Sequence, residues 1–324
     1  MTSAERPLRA VVVGECLIEL IRSGPDRASL RPAGDTFNTA SMLARASRAL
    51  GRPAEVEFRT GLGDDPLSDL IADAIGAHGL VDAAVRVPGS ACGLYLLDEV
   101  TGAMWYWRSD SAAHALFQSE EWVPAGDHDL VVLSLITLQQ MSERARERAA
   151  VWLETVRASG GTVAFSANHR PAGWPSREVA GTIARRFAGL ADLVFSSVAD
   201  CRALLGAADA TAALNRLTEI GVDEAIVTAG TDGASIAAGG TRLHVPAVVP
   251  PGTVDATGAG DAFAGVYLAW RTAGRSPGEA AHAASGVASR TVTFAGALPA
   301  PGSPEWTAMD ELLGSVAGGG GPGA

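Results

Sequence analysis

"GTVDATGAGDAFAGVYLAW", residues 252–270, runs from a glycine-rich turn straight into an apolar, helix-like segment. Gly258, Ala259 and Gly260 precede the carboxylate of Asp261, and Asp255 lies six residues upstream. The first backbone N–H groups of a helix have no intrahelical acceptor, and the helix dipole adds positive potential at the same end. Such a turn is suited to an anion, phosphate above all. Taken alone, the residues equally describe a tight turn in which Asp261 is only an N-cap. A dinucleotide-binding fingerprint fits poorly, because Phe263 occupies the third glycine position and the turn lies far from the first βαβ unit.

Upstream, short β-branched runs recur: "RAVVVGECLIEL" from residue 9, "DLVVLSLITL" from 129, "GTVAFSANHR" from 161, "ADLVFSS" from 191 and "DEAIVTAG" from 223. From residue 129 on their spacing is about 30 residues, the length of a βα unit, with amphipathic stretches between them. This predicts an α/β fold with a mostly parallel central sheet covered by helices on both faces, a three-layer α/β/α domain. Residues 15–33 and 90–109 break the rhythm with alternating, aromatic-rich strands and no helix between them, and are expected to form a small β-sheet lid. Residues 314–324 read as a flexible glycine-rich tail, which leaves 1–313 as one domain.

The 324 residues carry a net charge of −11 and no basic cluster, which argues against nucleic acid or an anionic membrane as a partner. No apolar run reaches the roughly 18 residues of a membrane span, and "MTSAERPLRA" lacks a signal peptide's apolar stretch. A cytoplasmic protein is expected. Cys16, Cys92 and Cys201 are far apart and read as small core residues, and the six histidines show no zinc spacing. The chain contains no lysine, which excludes a Walker A loop and Schiff-base chemistry.

"DATGAGDAF" closely resembles the DTxGAGDxF signature of the ribokinase-like (PfkB-type) carbohydrate kinases. "VVVGECLIEL", "RPAGDTFNTA", "TGLGDDP", "MWYWRSDSAA" and "ANHRPAGW" then follow the order and intervals of the 2-keto-3-deoxygluconate kinase branch of that family. The resemblance implies ATP- and Mg2+-dependent phosphorylation of the primary hydroxyl of 2-keto-3-deoxygluconate. Asp261 would be the catalytic base, and the N–H groups of residues 258–261 an anion hole for the transferring phosphoryl group. Phosphoryl transfer suits such a site, since positioning and charge stabilisation matter more in it than base strength. Asp261, at a helix N-terminus, is expected to have a depressed pKa and to be ionised at neutral pH.

The resemblance further implies that Gly34, Asp35 and Asn38 hold sugar hydroxyls, with Tyr95 and Tyr106 against the sugar. Arg108 and Arg170 would grip a sugar-acid carboxylate, which an arginine fork matches with two charge-assisted hydrogen bonds. Without the resemblance, both arginines read as solvated side chains, and Tyr95 reads almost equally as lid packing. The nucleotide would contact Asn168, Ser197, Thr228, Gly230, Gly233, Gly258 and Gly260. Asp200 would serve magnesium through water, and Asp255 would stand near a monovalent-cation loop, with K+ as its ion. The lid's exposed edge would pair two chains into a homodimer.

Several positions depart from the family pattern. Ala33 replaces a glycine, Ser166 an acid, His169 a tyrosine, Ser197 an asparagine and Thr228 a lysine, and Ala295-Gly296-Ala297 replaces an Arg-Gly turn. Two other readings stay open on sequence: a kinase for another ketose or keto-deoxy acid, fructokinase-like, and a non-catalytic sugar- or nucleotide-binding regulator on the same fold.

Overall fold

The computed structural model describes residues 6–98, 101 and 103–319. Its strands are β1 (Leu8–Val13), β2 (Leu17–Arg22), β3 (Ala28–Ala33), β4 (Ala54–Arg59), β5 (Gly61–Leu62), β6 (Val81–Asp82), β7 (Val85–Arg86), β8 (Leu94–Asp98), β9 (Met104–Trp107), β10 (Leu130–Ser134), β11 (Thr162–Ser166), β12 (Leu193–Ser197), β13 (Glu224–Thr228), β14 (Ala234–Ala238) and β15 (Thr241–Val245). The helices are α1 (Asp35–Ala49), α2 (Pro66–Ala77), α3 (Ala112–Gln118), α4 (Leu135–Gln140), α5 (Glu143–Ala158), α6 (Arg177–Ala188), α7 (Val198–Leu205), α8 (Ala210–Ile220), α9 (Ala259–Thr272), α10 (Pro277–Thr291) and α11 (Pro304–Ala317).

The main sheet has nine strands in the order β15-β14-β13-β12-β11-β10-β1-β4-β6, parallel except for the β13-β14-β15 meander. Period-two alternation divides β1 between two cores. Ala10 and Val12 enter the layer that holds α1, α9 and α10, whereas Val11 and Val13 enter the layer that holds α5, α6 and α8. Strands buried on both faces read as continuous apolar runs, which is why "VVV" and "LVVL" signalled them. The α/β expectation of a parallel sheet between two helical layers is met.

The chain leaves β1 in one direction towards β4 and returns in the other through β10. That reversal is a topological switch point, and ligands of open α/β sheets bind outside the strands' carboxyl ends there. Two features build on it. The lid sheet, in the order β3-β2-β8-β9, grows from β1 through a short link at Gly14-Glu15-Cys16. Helices α1 and α9 lie side by side, brought together at Gly265, where a Cβ would stand 2.5 Å from the Thr39 carbonyl oxygen.

The sequence placed the tail too early. Gly314–Ala317 continue α11, because Leu313 and Val316 on its inner face are buried in the core. Residues 320–324 of that predicted tail, and positions 99, 100 and 102 of the predicted lid segment, lie outside the described residues. Among the described residues, no helix is long and apolar enough to cross a membrane. The three cysteines are free and buried.

Candidate active site

The glycine turn opens helix α9 as the sequence anticipates. Gly258 is its N-cap, in the left-handed region at φ 77°, with no side-chain cap. A Cβ at Gly258 would also stand 2.5 Å from the Ala297 side chain, so both conformation and space require glycine. Among the described residues, the N–H groups of Gly258, Gly260 and Asp261 meet no acceptor. Nothing lies within 4 Å of where a Gly260 Cβ would be. Three unpaired donors at a helix N-terminus fit a phosphate.

Asp261 is not a cap of its own helix. Asn38, in the first turn of α1, donates from Nδ2 to its Oδ2 at 2.8 Å. Asp35 lies close by, with Oδ2 accepting from Asn168 Nδ2 at 3.3 Å. Arg170 donates to Asn168 Oδ1 at 2.6 Å and keeps an exposed guanidinium. Asp261, Asn38, Asp35, Asn168 and Arg170 thus form one connected cluster, drawn from three separate sequence segments.

The depressed pKa expected for Asp261 is overturned. Crowding by protein atoms and the negative charge of Asp35 push its carboxyl up to about 7, against the hydrogen bond from Asn38 and the charge of Arg170. Desolvation and a like charge outweigh the helix end here. Solvent still reaches part of the residue.

The remaining residues occupy several places. Gly34 leads into α1. Tyr95 is buried, donates its hydroxyl to the buried Glu19 and stacks on Tyr106 at 5.6 Å between ring centroids. Burial pushes Glu19 up, against the Tyr95 hydrogen bond. Arg108 is an ion-paired, partly buried side chain rather than a solvated one. Its Nη2 lies 2.5 Å from Oε2 of Glu15, a carboxylate buried at the switch point that the sequence reading passed over. An acid two residues past an apolar parallel strand was the available signal.

Asp255 accepts from Thr257 at both N–H (2.9 Å) and Oγ1 (2.6 Å), and from the Gly296 N–H at 2.9 Å. Burial opposes its ionisation, but these donors hold its carboxyl below the usual range. Arg31 of the lid donates to the neighbouring Ala295 carbonyl at 2.7 Å. Ser197 caps α7 and donates to Asp200 at 2.7 Å, while the other Asp200 oxygen accepts from the His169 N–H at 3.3 Å. Burial lowers the pKa of His169. Thr228 ends β13, and Gly230 and Gly233, both at positive φ, shape the loop behind it. Ser197 and Thr228 stand at the carboxyl ends of β12 and β13, and the Asp200 contact with His169 joins them to the Asn168–Arg170 segment of the Asp261 cluster. No three His, Cys, Asp or Glu side chains converge to hold a metal among the described residues.

A mostly parallel sheet, a β-lid and a carboxylate beside unpaired helix-end donors suit an enzyme that transfers a phosphoryl group to a small molecule. The model of the pfkB family carbohydrate kinases matches residues 8–302. The 2-dehydro-3-deoxygluconokinase of Escherichia coli K12 is 32% identical over 302 residues, covering 90% of this chain and 96% of its own. That of Dickeya dadantii is 31% identical over 298 residues, covering 89% and 95%. Among solved structures, aminoimidazole riboside kinase from Salmonella enterica, complexed with aminoimidazole riboside and an ATP analog, superposes with a TM-score of 0.81. It is 24% identical, over 94% of this chain and 99% of that one. The chain belongs to the pfkB family of carbohydrate kinases.

Proposed function

We propose that this enzyme transfers the γ-phosphoryl group of ATP to the primary hydroxyl of 2-keto-3-deoxygluconate, giving 2-keto-3-deoxy-6-phosphogluconate. The names of the curated relatives support the acceptor. The observation that carries the chemistry is the contact of Asn38 with Asp261, which sets a carboxylate of pKa about 7 beside three unpaired N–H donors. A base poised near neutrality takes the hydroxyl proton as transfer proceeds. Gly258, Gly260 and Asp261 hold the phosphoryl oxygens through their N–H groups, with Ala259 completing the turn. ATP supplies the phosphoryl group, and a divalent cation, Mg2+ in this reading, neutralises charge on its phosphates.

Asp200 would reach that cation through water, since among the described residues no cluster of protein carboxylates is built around it. Ser197, Thr228, Gly230 and Gly233 border the nucleotide on the β12 and β13 side. Asn168, read from sequence as a nucleotide contact, bridges Asp35 and Arg170, so we assign it to orienting the acceptor pocket. Asp255 already accepts three hydrogen bonds. Its role is to tie the 295–297 turn to the anion hole, with K+ beside that loop rather than on its carboxylate.

Gly34, Asp35 and Asn38 face the sugar hydroxyls, Tyr95 and Tyr106 wall the sugar, and Arg108 and Arg170 receive its carboxylate. Asn38 Oδ1 is buried without a partner among the described residues. An unpaired buried acceptor is costly and is satisfied by a substrate hydroxyl. Two copies pair through β9, an edge strand whose four residues are all exposed, and the enzyme works in the cytoplasm. The test is turnover with ATP, Mg2+ and a panel of keto-deoxy acids and neutral ketoses. A higher kcat/KM on 2-keto-3-deoxygluconate supports the assignment. Preference for a neutral ketose rejects the acceptor, and binding without any product rejects the reaction.

A further inference from the structure

Glu15 occupies the link between β1 of the main sheet and β2 of the lid, and only 3% of it is exposed. Every contact made by its carboxylate comes from a different element. Ser111, the N-cap of α3, donates to Oε1 at 2.7 Å, and Gln140, at the end of α4, donates to Oε2 at 3.2 Å. Arg108, the first residue after β9, places Nη2 2.5 Å from Oε2. Position 93, between β7 and β8, makes room for the pair: a Cβ there would stand 2.7 Å from Glu15 Oε1 and 3.4 Å from Arg108 Cβ.

Arg108 follows an edge strand whose residues are all exposed, and a long flexible side chain there has many rotamers open to it. Glu15 takes it out of that ensemble and turns it to the switch point. One Nη2 contact leaves most of the fork's donors free for a second, planar anion. We propose that Glu15 is a positioning residue for acceptor selection, which holds Arg108 in the orientation that receives a sugar-acid carboxylate. The inference rests on the reading of Arg108 as a carboxylate ligand. The carboxylate of the acid lies at the far end of the substrate from the reacting hydroxyl. Its contact is therefore equally strong in ground and transition states, and losing it raises KM with kcat unchanged.

The test compares Glu15→Gln, Arg108→Gln and the double variant on 2-keto-3-deoxygluconate and on a neutral ketose. Glu15→Gln keeps the side chain's size and its capacity to accept from Ser111, but removes the charge. The expected result is a rise of about tenfold in KM for the acid with kcat within about twofold, and unchanged constants for the neutral sugar. The double variant is expected to match Arg108→Gln alone, because Glu15 acts only through that arginine. Equal losses on both sugars, additive effects, or a lower KM for the acid would overturn the proposal. The last result would make Glu15 a competitor of the substrate. If Arg108→Gln spares the acid, the carboxylate reading itself fails and this inference with it. Should Glu15→Gln not fold, Glu15→Asp, which keeps the charge on a shorter arm, is expected to show the same acid-specific change in KM to a smaller degree. An unchanged KM in that variant overturns the proposal.

Discussion

Asn38 donates to Asp261 across 2.8 Å, joining the first turns of α1 and α9 beside the glycine turn that opens α9. The hydrogen bond favours the ionised carboxylate, while crowding and Asp35 favour the neutral acid, and the balance is a pKa of about 7. A base must be deprotonated to act. The kcat/KM profile, which reports the free enzyme, is therefore expected to rise with pH through an acid limb near 7. Asp35→Asn removes a like charge and is expected to move that limb to lower pH, whatever it does to the maximal rate. A limb that stays in place in this variant would separate it from Asp261.

Substituting Asp261 itself separates catalysis from stability. Asp261→Asn is expected to reduce kcat by about 10³-fold, the scale of a lost general base, with the Kd of the acceptor little changed. The folded carboxyl titrates at about 7, above the roughly 4 of an unfolded aspartate. Its stabilising contribution is thus complete below the unfolded value and lost as pH rises through the folded one. The neutral asparagine escapes that loss. The Tm of the variant is expected to exceed that of the parent at pH 8 by more than at pH 5, measured by calorimetry.

How much of this was legible depended on whether the signal was local. The glycine turn and the apolar strands of the parallel sheet are written in contiguous residues, so both could be read from sequence. The β14-β15 hairpin was missed although Gly239-Gly240, at φ 56° and 76°, is an ordinary hairpin signal between alternating runs. The partners of Glu15 and the pKa of Asp261 were not legible in the same way. Each depends on residues about 90 or more positions away, Arg108 and Ser111 in one case and Asp35 in the other, and no spacing rule links them. The tail was misplaced because a glycine-rich composition hid Val316, a single residue whose burial extends the helix.

Strand β9 supplies a prediction about assembly. Met104, Trp105, Tyr106 and Trp107 are between 45% and 54% exposed on an edge strand that has no further neighbour in the sheet among the described residues. An apolar open edge is a template for a second strand. Trp105→Glu and Trp107→Glu are expected to convert a dimer into monomers in sedimentation velocity, with Tm falling by only a few degrees. A parent chain that sediments as a monomer at micromolar concentration would contradict pairing through the lid.

Gly258 and Gly260 make the sharpest contrast, because two glycines two residues apart are held by different constraints. An alanine at Gly258 must adopt φ 77° and meets Ala297 at 2.5 Å. Left-handed backbone alone costs roughly 1–2 kcal/mol, so Gly258→Ala is expected to lower stability by about 2 kcal/mol or more and to impair turnover with it. Gly260 lies within the first turn of α9, where an alanine meets nothing within 4 Å. In a helix that exchange stabilises by roughly 0.5–1 kcal/mol. On the proposed reading, however, its methyl group would crowd a phosphate held by the N–H groups of this turn. Gly260→Ala is therefore expected to keep or raise Tm while kcat/KM falls by about tenfold or more, as removing access to oxyanion donors does. Denaturant unfolding and steady-state kinetics on the same two preparations decide it. Full activity in Gly260→Ala would remove the anion from the end of α9.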